Sequence, residues 1–489
     1  MDTVIFGTGL NAMRSIQFLE EKYNILWYVD NDDKKKGKKI SKYEIKGSDS
    51  LKSYNGYVII IAENHTYEIL NQLEKIGIKK DKVMSLLCTH SGYSYAFDVF
   101  PINKIKYYDT GEKLLSYDLL KKKEVNMNKR KVLVFAKFYS VYTKQLVENL
   151  YKKYDDIELS ILTGARETLD YIDNHSLAHI YYFETMSELR DIIYKLPHYD
   201  VAQLLWIEEI WAYYAEEIRN KFDILNLFVG GSDFYRASDL DREFKGRLVS
   251  IADNISIETP QVRDEFLNFY SNVNADKIRI IPYGLEVVNW INKNKESKEF
   301  IRKKFGIPEG KIIVTCGHNA IQAHQHMKLI EALSCIADDV KEKVIFVFPM
   351  TYPAGRTEYI NKVKKSLEEH KLPYIILTEF MDFCLMGQYD IISDIMIHVQ
   401  TTDTLSSTML EEMYTGSVVI AGKWLPYQVL HNRKLYFLDA DTIEAVSHNI
   451  EDVVRNIDYY REKCKYNKDI IWKYHSWDSL ISQWHTLFF

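Results

Sequence analysis

An apolar strand, a turn and an amphipathic helix follow one another at three widely separated places in this chain. The strands cover residues 3–6, 132–136 and 311–315. Such a strand, turn and helix is the repeating unit of parallel α/β sheets. The chain has 489 residues, and one domain takes roughly 150 residues. The sequence therefore predicts an α/β protein with three Rossmann-like units.

Changes of pattern along the chain mark the boundaries of these units. Residues 91–128 carry few periodic signals and run into the charged segment KKKEVNMNKR at 121–130, as expected for a linker. Another boundary follows the apolar-Pro-Tyr-Gly segment at 280–284. We predict an N-terminal unit at 1–90, a linker at 91–128, a second unit at 129–284, a third at 285–470 and a final helix at 471–489.

The first unit opens with a glycine turn of the kind that binds nucleotides. Gly7, Gly9 and Ala12 fit G-x-G-x-x-A between a strand and a helix, and the second strand ends at Asp30. Glycines let a phosphate approach a helix N-terminus, and an acid after the second strand can bind a ribose hydroxyl. Gly7, Gly9 and Asp30 are therefore predicted nucleotide ligands, although a Rossmann-like unit without a ligand fits the same pattern.

The segment around Asp30 allows two further interpretations. The run YVDNDDKKKGKKI at 28–40 resembles the N-terminal nucleotide or sugar-nucleotide domains of bacterial surface-polysaccharide proteins, including sugar N-acyltransferases. Asp30, Asn31 and Asp32 also match the D-x-D metal motif of GT-A glycosyltransferases. That motif follows the second strand of a glycine-turn unit too closely for the GT-A class, and the lysines after it are typical of a solvated loop.

Charge and cysteine content argue against several classes of function. The net charge of −6 disfavours a broad nucleic-acid-binding surface. The five cysteines are scattered and form no C-x-x-C pair, so neither a disulfide framework nor a zinc site is indicated. No apolar window reaches about 18 residues. We expect a cytoplasmic protein and leave open peripheral contact with the inner face of the membrane and homo-oligomerisation.

Polar residues follow the first strand of the third unit. Gly317, His318 and Asn319 come after the strand at 311–315, and His326 precedes a predicted helix at 327–336. Backbone N–H groups of such a turn can face a diphosphate. His318, His324 and His326 also suggest zinc, but no acid or cysteine lies at a usual ligand spacing. We predict donor binding here and no metal.

Two acids eight positions apart form the most specific pattern of the third unit. Asp403 lies in a predicted loop and Glu411 on a predicted helix at 405–415. A carboxylate can accept hydrogen bonds from two vicinal ribose hydroxyls, and an acid in the loop suits the hydroxyls of a donor sugar. Further predicted donor contacts, through hydroxyl or N–H groups, are Thr404, Leu405, Ser406 and Ser407. Alternatively, Asp403 only caps the helix, Glu411 and Glu412 are surface charges, and Gly416 ends the helix.

The spacing of Asp403, Glu411 and Gly416 before an apolar strand resembles the donor-binding motif of GT-B glycosyltransferases, although Asp403 stands where that family has Glu. Further segments are similar to the family in the same order. They are the Gly-Gly-Ser-Asp turn at 230–233, ADNISIETPQVRDEF at 252–266, KIRIIPYGLE at 277–286 and YHSWD at 474–478. The resemblance spans roughly residues 130–489. Within this family, His326 and the Glu-Ala-Leu sequence at 331–333 are similar to 4-acetamidofucosyl transferases.

This resemblance implies a metal-independent enzyme that needs no cofactor. Residues 285–470 would bind a nucleotide-diphosphate sugar, with Glu411 on the ribose and Asp403 on the donor sugar, and residues 129–284 would bind the acceptor. Positive groups would assist departure of the phosphate, and Arg356 and Lys423 are the predicted ones.

A reaction that inverts the anomeric centre also requires a general base beside the acceptor hydroxyl. Asp233 is one candidate. Glu208 and Glu209, in the run LLWIEEIWAYY at 204–214, are the others. The aromatic residues of that run fit two roles, either stacking on a sugar or lipid or forming the core of a helix.

The leading function is transfer of a sugar from a nucleotide-diphosphate sugar to a bacterial glycan, a lipid-linked glycan or a protein. One alternative is an NAD-dependent or sugar-nucleotide-modifying enzyme that acts through the N-terminal unit. Residues 1–90 lack a Tyr-x-x-x-Lys sequence for hydride transfer, which argues against this alternative. The other is a noncatalytic protein that binds a nucleotide sugar.

Overall fold

Three β-sheets organise the described part of the chain. The computed structural model describes residues 1–61, 66–91, 94–101, 129–138, 141–164, 177–353 and 355–489. The chain divides into two compact units, made of Met1–Ser256, Tyr270–Arg279 and Leu487–Phe489 and of Ile257–Phe269 and Ile280–Thr486. The predicted α/β class with three Rossmann-like units is confirmed. The domain boundaries inferred from the sequence stay predictions.

The first sheet has the strand order β3-β4-β2-β1-β5-β6-β7. Its strands are β1 (Asp2–Phe6), β2 (Asn24–Val29), β3 (Lys39–Ile40), β4 (Tyr43–Lys46), β5 (Tyr57–Ile60), β6 (Val83–Ser91) and β7 (Ser94–Pro101). Its helices are α1 (Leu10–Lys22) and α2 (Thr66–Ile76). Strands β4, β2, β1, β5 and β6 pair in parallel, while β3 and β7 are antiparallel edge strands.

The central strands of the first sheet are apolar at successive positions because both faces are covered. Val4 and Phe6 pack on one face, and Ile5 packs on the other. Burial on both faces is typical of a parallel sheet with helices on each side. Strand β7 lies inside the segment that we predicted as a linker, so the sheet extends past residue 90. The rest of that linker, residues 102–128, lies outside the described residues.

The second sheet has the order β10-β9-β8-β11-β12-β13-β14. Its strands are β8 (Arg130–Phe138), β9 (Ile157–Gly164), β10 (Ile180–Phe183), β11 (Tyr199–Leu205), β12 (Phe222–Phe228), β13 (Asn254–Ile257) and β14 (Ile278–Ile280). The helices that lie between them in sequence are α3 (Val141–Lys153), α4 (Met186–Lys195), α5 (Glu209–Ala212), α6 (Ala215–Arg219), α7 (Ser232–Tyr235), α8 (Asp239–Ile251) and α9 (Pro260–Phe269). The six strands from β10 to β13 in this order pair in parallel.

The third sheet has the order β17-β16-β15-β18-β19-β20, with all pairs parallel. Its strands are β15 (Ile312–Cys316), β16 (Val344–Pro349), β17 (Tyr374–Leu377), β18 (Ile395–His398), β19 (Val418–Gly422) and β20 (Leu438–Ala440). The helices of this region are α10 (Val287–Lys293), α11 (Lys298–Lys304), α12 (His326–Ser334), α13 (Asp338–Lys341), α14 (Thr357–Glu369), α15 (Phe383–Ile392), α16 (Ser407–Thr415), α17 (Gln428–Asn432), α18 (Ala445–Arg455), α19 (Ile457–Cys464), α20 (Asn467–His475) and α21 (Trp477–Thr486).

The strand orders of the second and third sheets reverse direction at one point in each. In the third sheet the first strand, β15, lies between β16 and β18, and in the second sheet β8 lies between β9 and β11. A doubly wound sheet binds ligands in the crevice outside the carboxyl ends of its strands at this reversal. The topology therefore directs attention to the residues that follow β15 and β18, and to those that follow β8 and β11.

No helix among the described residues is long and apolar enough to span a membrane.

Candidate functional site

The glycine turn after β15 is tightly packed and conformationally restricted. Gly317 has a φ of +70°, a backbone conformation that favours glycine. Its N–H donates to the carbonyl of Ile397 on the neighbouring strand, over 3.2 Å. A Cβ atom at this position would lie 2.9 Å from Nε2 of His326 and 3.0 Å from Nδ1 of His324. Only glycine therefore fits between this turn and the two imidazole rings without displacing them.

Four histidines surround the glycine turn, and we call them the histidine cluster: His318, His324, His326 and His398. The rings of His318 and His398 stack at 5.7 Å with an angle of 7°, and those of His318 and His324 meet edge-on at 4.3 Å. His326 Nδ1 lies 3.1 Å from the Tyr359 hydroxyl. Burial lowers the pKa of His326 to about 4, against the opposing effect of a hydrogen bond with the Cys316 backbone. His326 is therefore a neutral hydrogen-bonding group.

The arrangement of acids and histidines does not form a metal site in the described part of the chain. No three His, Cys, Asp or Glu side chains there are grouped so that they could hold a metal ion. Metal independence stays a prediction. Asn319, predicted to contact the donor, accepts a hydrogen bond from the N–H of Ile321 through Oδ1, at 3.1 Å, and so shapes the turn itself.

Asp403 lies at the centre of a hydrogen-bond network after β18. Its Oδ2 atom lies 3.0 Å from His398 Nε2 and 3.2 Å from Gln400 Nε2, and it accepts a short bond from the Tyr427 hydroxyl. Its Oδ1 atom accepts the N–H of Thr404 at 2.9 Å. Burial raises the pKa of Asp403, but the bonds from His398 and Tyr427 outweigh burial and hold the pKa below its usual value.

These contacts change the interpretation of Asp403. Both oxygens already accept bonds from protein donors, so the geometry favours a role in orienting His398 rather than direct contact with a donor sugar. The alternative that Asp403 merely caps α16 is wrong, because Ser406 is the N-cap and its Oγ accepts the N–H of Met409 at 3.2 Å.

Glu411 is a buried carboxylate with an unused acceptor. It lies on α16 with 4% of its surface exposed, and its Oε2 atom has no hydrogen-bond partner among the described residues. Burial, followed by the charge of Glu412, raises the pKa of Glu411 to about 8. The alternative that Glu411 and Glu412 are surface charges is therefore wrong, while Gly416 does end α16, with a φ of +93°.

A third acid adds to this buried group. Burial, followed by the charges of Glu412 and Glu411, raises the pKa of Asp390 well above its usual value. Burial also raises the pKa of Glu412 to about 7, and neither of its carboxyl oxygens has a hydrogen-bond partner among the described residues. Three neighbouring carboxyl groups cannot all ionise cheaply in a buried site, so Glu411 is largely protonated at neutral pH.

The other predicted donor-binding residues between the two acids mostly make contacts within the protein. The Thr404 hydroxyl donates to Oε2 of Glu258 at 2.6 Å. Leu405 packs in the apolar cluster that includes Met409. Ser407 is the first residue of α16. The prediction that the hydroxyls of Thr404 and Ser406 face the phosphates is therefore not supported by their hydrogen bonds.

The two predicted cations occupy different environments. Arg356 is half-buried at the start of α14. The side chain of Lys423 is 62% exposed, and its ammonium group pairs with Asp441 at 2.6 Å. The structure thus does not bring Lys423 into the network around Asp403, and Arg356 is the better candidate for a charge beside a phosphate.

The predicted base candidates lie at the carboxyl edge of the second sheet. Asp233 Oδ2 accepts the N–H of Ile207 at 2.7 Å and that of Gly230 at 3.4 Å. Burial raises the pKa of Asp233 to about 6, against the Ile207 N–H and the charge of Lys245. Glu208 Oε2 lies 4.0 Å from Lys137 Nζ. Glu209 begins α5.

The glycine turn of the first sheet has the predicted shape, but the carboxylate of Asp30 already has partners within the protein. Gly7 has a φ of +118°, and Gly9 precedes α1. Asp30 Oδ2 accepts the Thr8 hydroxyl and pairs with Lys35 Nζ at 3.0 Å, and Oδ1 accepts the N–H of Asp32 at 2.8 Å. Burial raises the pKa of Asp30, but these bonds outweigh it and lower the pKa. The predicted ribose contact by Asp30 is therefore not supported.

Several residues of these networks escaped the sequence analysis. His398, Gln400, Tyr427, Glu258 and Lys137 were not predicted, although each carries a hydrogen bond or ion pair described above. The detectable signal was polar residues at the end of an apolar strand, as in the sequence IHVQ at 397–400 and the lysine near the end of β8. Tyr427 gave no such signal, because it follows a different strand.

Comparisons with known proteins bear on the fold. Residues 1–84 match a family model described as C2185-like, N-terminal. The chain matches none of the curated proteins with which it was compared.

Solved glycosyltransferase structures are similar to this chain. HepE of Anabaena, in complex with UDP and glucose, is 14% identical with a TM-score of 0.60, over 73% of this chain and 98% of that one. A glycosyltransferase from Rickettsia africae is 16% identical with a TM-score of 0.57, over 74% and 98%. Sucrose-phosphate synthase from Thermosynechococcus elongatus is 12% identical with a TM-score of 0.57, also over 74% and 98%. These neighbours are GT-B glycosyltransferases, and the predicted fold class is confirmed.

Proposed function

We propose that this chain transfers a sugar from a nucleotide-diphosphate sugar to an acceptor hydroxyl. The observation that carries the proposal is Glu411, a buried carboxylate with an unpartnered oxygen, on the helix that follows β18. Strand β18 lies next to β15, at the point where the strand order of the third sheet reverses. Doubly wound sheets bind nucleotides at this point. A buried acceptor without a donor is costly to the protein alone, and two ribose hydroxyls would satisfy it.

The other residues of the third sheet have complementary roles in this proposal. The turn that begins at Gly317 would lie beside the diphosphate, while the Gly317 N–H itself stays bonded to the Ile397 carbonyl. Asp403 holds His398 through Nε2, which leaves the Nδ1 side of the ring for a bound group. Arg356 supplies positive charge as the diphosphate departs, because the bond to the anomeric carbon breaks with negative charge on the leaving oxygen.

The acceptor hydroxyl must lose its proton as it attacks. Asp233 is our first candidate for the base, since burial raises its pKa to about 6, close to the range in which a base is effective at neutral pH. Glu208 is the second candidate. The structures of HepE contain UDP with glucose, so UDP-sugars are the first donors to test.

The finer parts of the proposal follow the sequence analysis. The donor needs no metal or additional cofactor, the acceptor is a bacterial glycan, a lipid-linked glycan or a protein, and the reaction serves synthesis of a surface polysaccharide. The predicted cytoplasmic location, the lack of a nucleic-acid partner and the noncatalytic role of the N-terminal unit as an accessory domain belong to the same proposal.

Donor binding by paired variants tests the proposal. We would measure calorimetric binding and slow hydrolysis of UDP-, GDP-, dTDP- and CDP-sugars by the full chain, by Glu411→Gln and by Glu412→Gln. The two glutamates are adjacent and both buried, so Glu412→Gln is the matched control. Gln replaces one acceptor oxygen with an amide donor, so one ribose hydroxyl would lose its acceptor. Because an unpaired buried polar group costs about 1–3 kcal/mol, Glu411→Gln should weaken binding of the preferred donor about 10- to 100-fold. Glu412→Gln should change it less than about threefold.

Three results would contradict the proposal. Equal donor affinity in both variants would remove Glu411 from the nucleotide site. Binding of NAD without a response to any nucleotide sugar would move the activity to the N-terminal unit. Donor binding that depends on Glu411, without hydrolysis or transfer to any acceptor, would favour the noncatalytic alternative.

A further inference from the structure

The aromatic run at 204–214 divides into two groups in the structure. Trp211, Tyr213 and Tyr214 are 0%, 5% and 4% exposed, so they belong to the core. Trp206 is only half-buried and directly follows β11. The core interpretation of this run is thus correct for three of its aromatic residues and does not account for Trp206.

The backbone of Trp206 adopts a conformation that bulky residues rarely take. Its φ is +67°, and its N–H still donates to the carbonyl of Phe228 on the neighbouring strand at 3.0 Å. A bulky residue in the left-handed region is a true outlier. Such strain persists where the surrounding structure imposes it, and it concentrates at functional sites.

Gly230 allows the Trp206 indole to lie where it does. A Cβ atom on Gly230 would be 2.0 Å from Nε1 of Trp206 and 2.2 Å from its Cδ1. The indole therefore lies directly over the glycine backbone. Phe228 meets the ring edge-on at 6.5 Å, and Tyr142 at the start of α3 meets it edge-on at 6.1 Å. The ring is thus fixed in position by contacts with two different segments, residues 228–230 and the start of α3.

The position of Trp206 in the sheet is that of a ligand-binding residue. It follows β11, which lies beside β8 where the strand order of the second sheet reverses. Parallel sheets bind ligands outside the carboxyl ends of their strands at this point. Tyr142, 42% exposed, stands at an angle of 78° to the indole at the same edge of the sheet.

Polar groups accompany this aromatic surface. Lys137, near the end of β8, and Glu208, two residues after Trp206, lie 4.0 Å apart. The N–H of Ile207, the residue between Trp206 and Glu208, is bonded to Asp233. The Oδ1 atom of Asp233 is buried without a hydrogen-bond partner among the described residues. A sugar ring has an apolar C–H face and polar hydroxyls. The aromatic face fits the first, and the carboxylates and the ammonium group fit the second.

We propose that Trp206 is the stacking surface of an acceptor subsite for a pyranose ring. The apolar C–H face of the sugar would lie on the indole of Trp206, with Tyr142 standing beside it, and its hydroxyls would donate to Glu208 and Asp233. The inference rests on the proposed function and sharpens it, because it favours an acceptor that presents a sugar ring, a glycan or a lipid-linked glycan, over a protein. A polyprenyl chain would gain little from the buried, unpartnered carboxylate oxygen of Asp233, which needs a donor.

Saturation-transfer NMR with the full chain tests this subsite without requiring turnover. The probes are the methyl α- and β-pyranosides of glucose, galactose, mannose and N-acetylglucosamine, each with and without UDP. We expect at least one pyranoside to bind the native chain. Because an aromatic contact contributes about 0.5–1.5 kcal/mol, Trp206→Ala should weaken binding up to about tenfold. Trp206→Phe should retain part of the affinity.

Two further variants separate stacking from damage to the fold. Gly230→Ala keeps the indole but displaces it, since its Cβ would overlap the ring, and should weaken pyranoside binding as Trp206→Ala does. Trp290→Ala removes a tryptophan on α10 that is 42% exposed and should leave binding unchanged. UDP affinity should be the same in the native chain and in Trp206→Ala.

The possible failures are distinguishable. Equal pyranoside affinity in the native chain and Trp206→Ala, or no binding of any probe by a native chain that binds UDP, would overturn the inference and leave the proposed function standing. Binding of a polyprenyl phosphate in detergent, but of no pyranoside, would also overturn it. If the chain bound a pyranoside through Trp206 but bound no nucleotide sugar, the proposed function would be wrong and the pyranose subsite would stand.

Discussion

The first and third sheets both place a glycine turn after a central strand and an acid after the neighbouring strand, but they use the acid differently. In the first sheet, Asp30 is bonded by Thr8, by the Asp32 N–H and by Lys35, all in adjacent turns. In the third sheet, Asp403 is bonded by His398, Gln400 and Tyr427 in a buried network.

The third sheet also contains a second acid, on the helix after the loop. Glu411 is buried there with an unpartnered oxygen, whereas both oxygens of Asp30 have protein partners. A glycine turn therefore indicates where a sheet can hold a nucleotide, but an unsatisfied buried acceptor indicates which sheet is built to do so. The following four predictions test this difference, from the largest expected effect to the smallest.

The two glycine turns should respond differently to alanine. Gly317→Ala adds a Cβ at 2.9 Å from His326 Nε2, at a positive φ, and should lower the local free energy of unfolding by about 2–3 kcal/mol. Gly9→Ala meets nothing within 4 Å and should change it by less than about 0.5 kcal/mol. Hydrogen exchange of the amides of β15 and β1, read by mass spectrometry, measures each effect in its own sheet. Similar effects at both sites would contradict the distinction.

The two acids should differ in the same way. Asp403→Asn places an amide group among the donors of His398 and Tyr427 and should destabilise the third sheet by about 1–3 kcal/mol at pH 7. Asp30→Asn removes an ion pair with Lys35, whose side chain is 38% exposed, and should cost less than about 1 kcal/mol.

Acid should reduce the effect of the Asp403 substitution. The pKa of Asp403 is lowered in the folded chain, so its ionised form stabilises the fold above its ordinary pKa, and this contribution is lost as the pH falls through the folded value. The difference between the native chain and Asp403→Asn, measured by hydrogen exchange, should shrink below about pH 4. A difference that stays constant or grows would show that Asp403 acts through packing instead.

Glu411 should give stability the opposite dependence on pH. Its pKa is raised to about 8, so the folded chain holds a proton that the unfolded chain has released, and stability falls as the pH rises toward that value. From pH 7 to 9 the native chain should lose about 1 kcal/mol more than Glu411→Gln in urea unfolding. Identical slopes for the two chains would mean that Glu411 is ionised throughout this range.

Local sequence patterns were sufficient for much of the fold. The strands at 3–6 and 311–315 were found from continuous apolar residues, because a strand covered on both faces needs them. The helix that carries Glu411 was found from its glycine at 416, which ends it as predicted. The spacing of Asp403 and Glu411, together with its resemblance to the GT-B donor-binding motif, marked the two acids as candidates. These features depend on neighbours within a few turns of the chain, so the sequence contains them directly.

The tertiary structure decided what these residues do. Tyr427 reaches Asp403 from 24 positions away in the chain. Trp206 and Trp211 belong to one aromatic run, yet Trp206 is half-buried at a sheet edge and Trp211 is fully buried. Whether Glu411 is a surface charge or a buried acceptor depends on Glu412, Asp390 and the helix packing around them. Spacing along a chain sets which residues share an element, whereas burial and the partners of a carboxylate depend on how separate elements pack together.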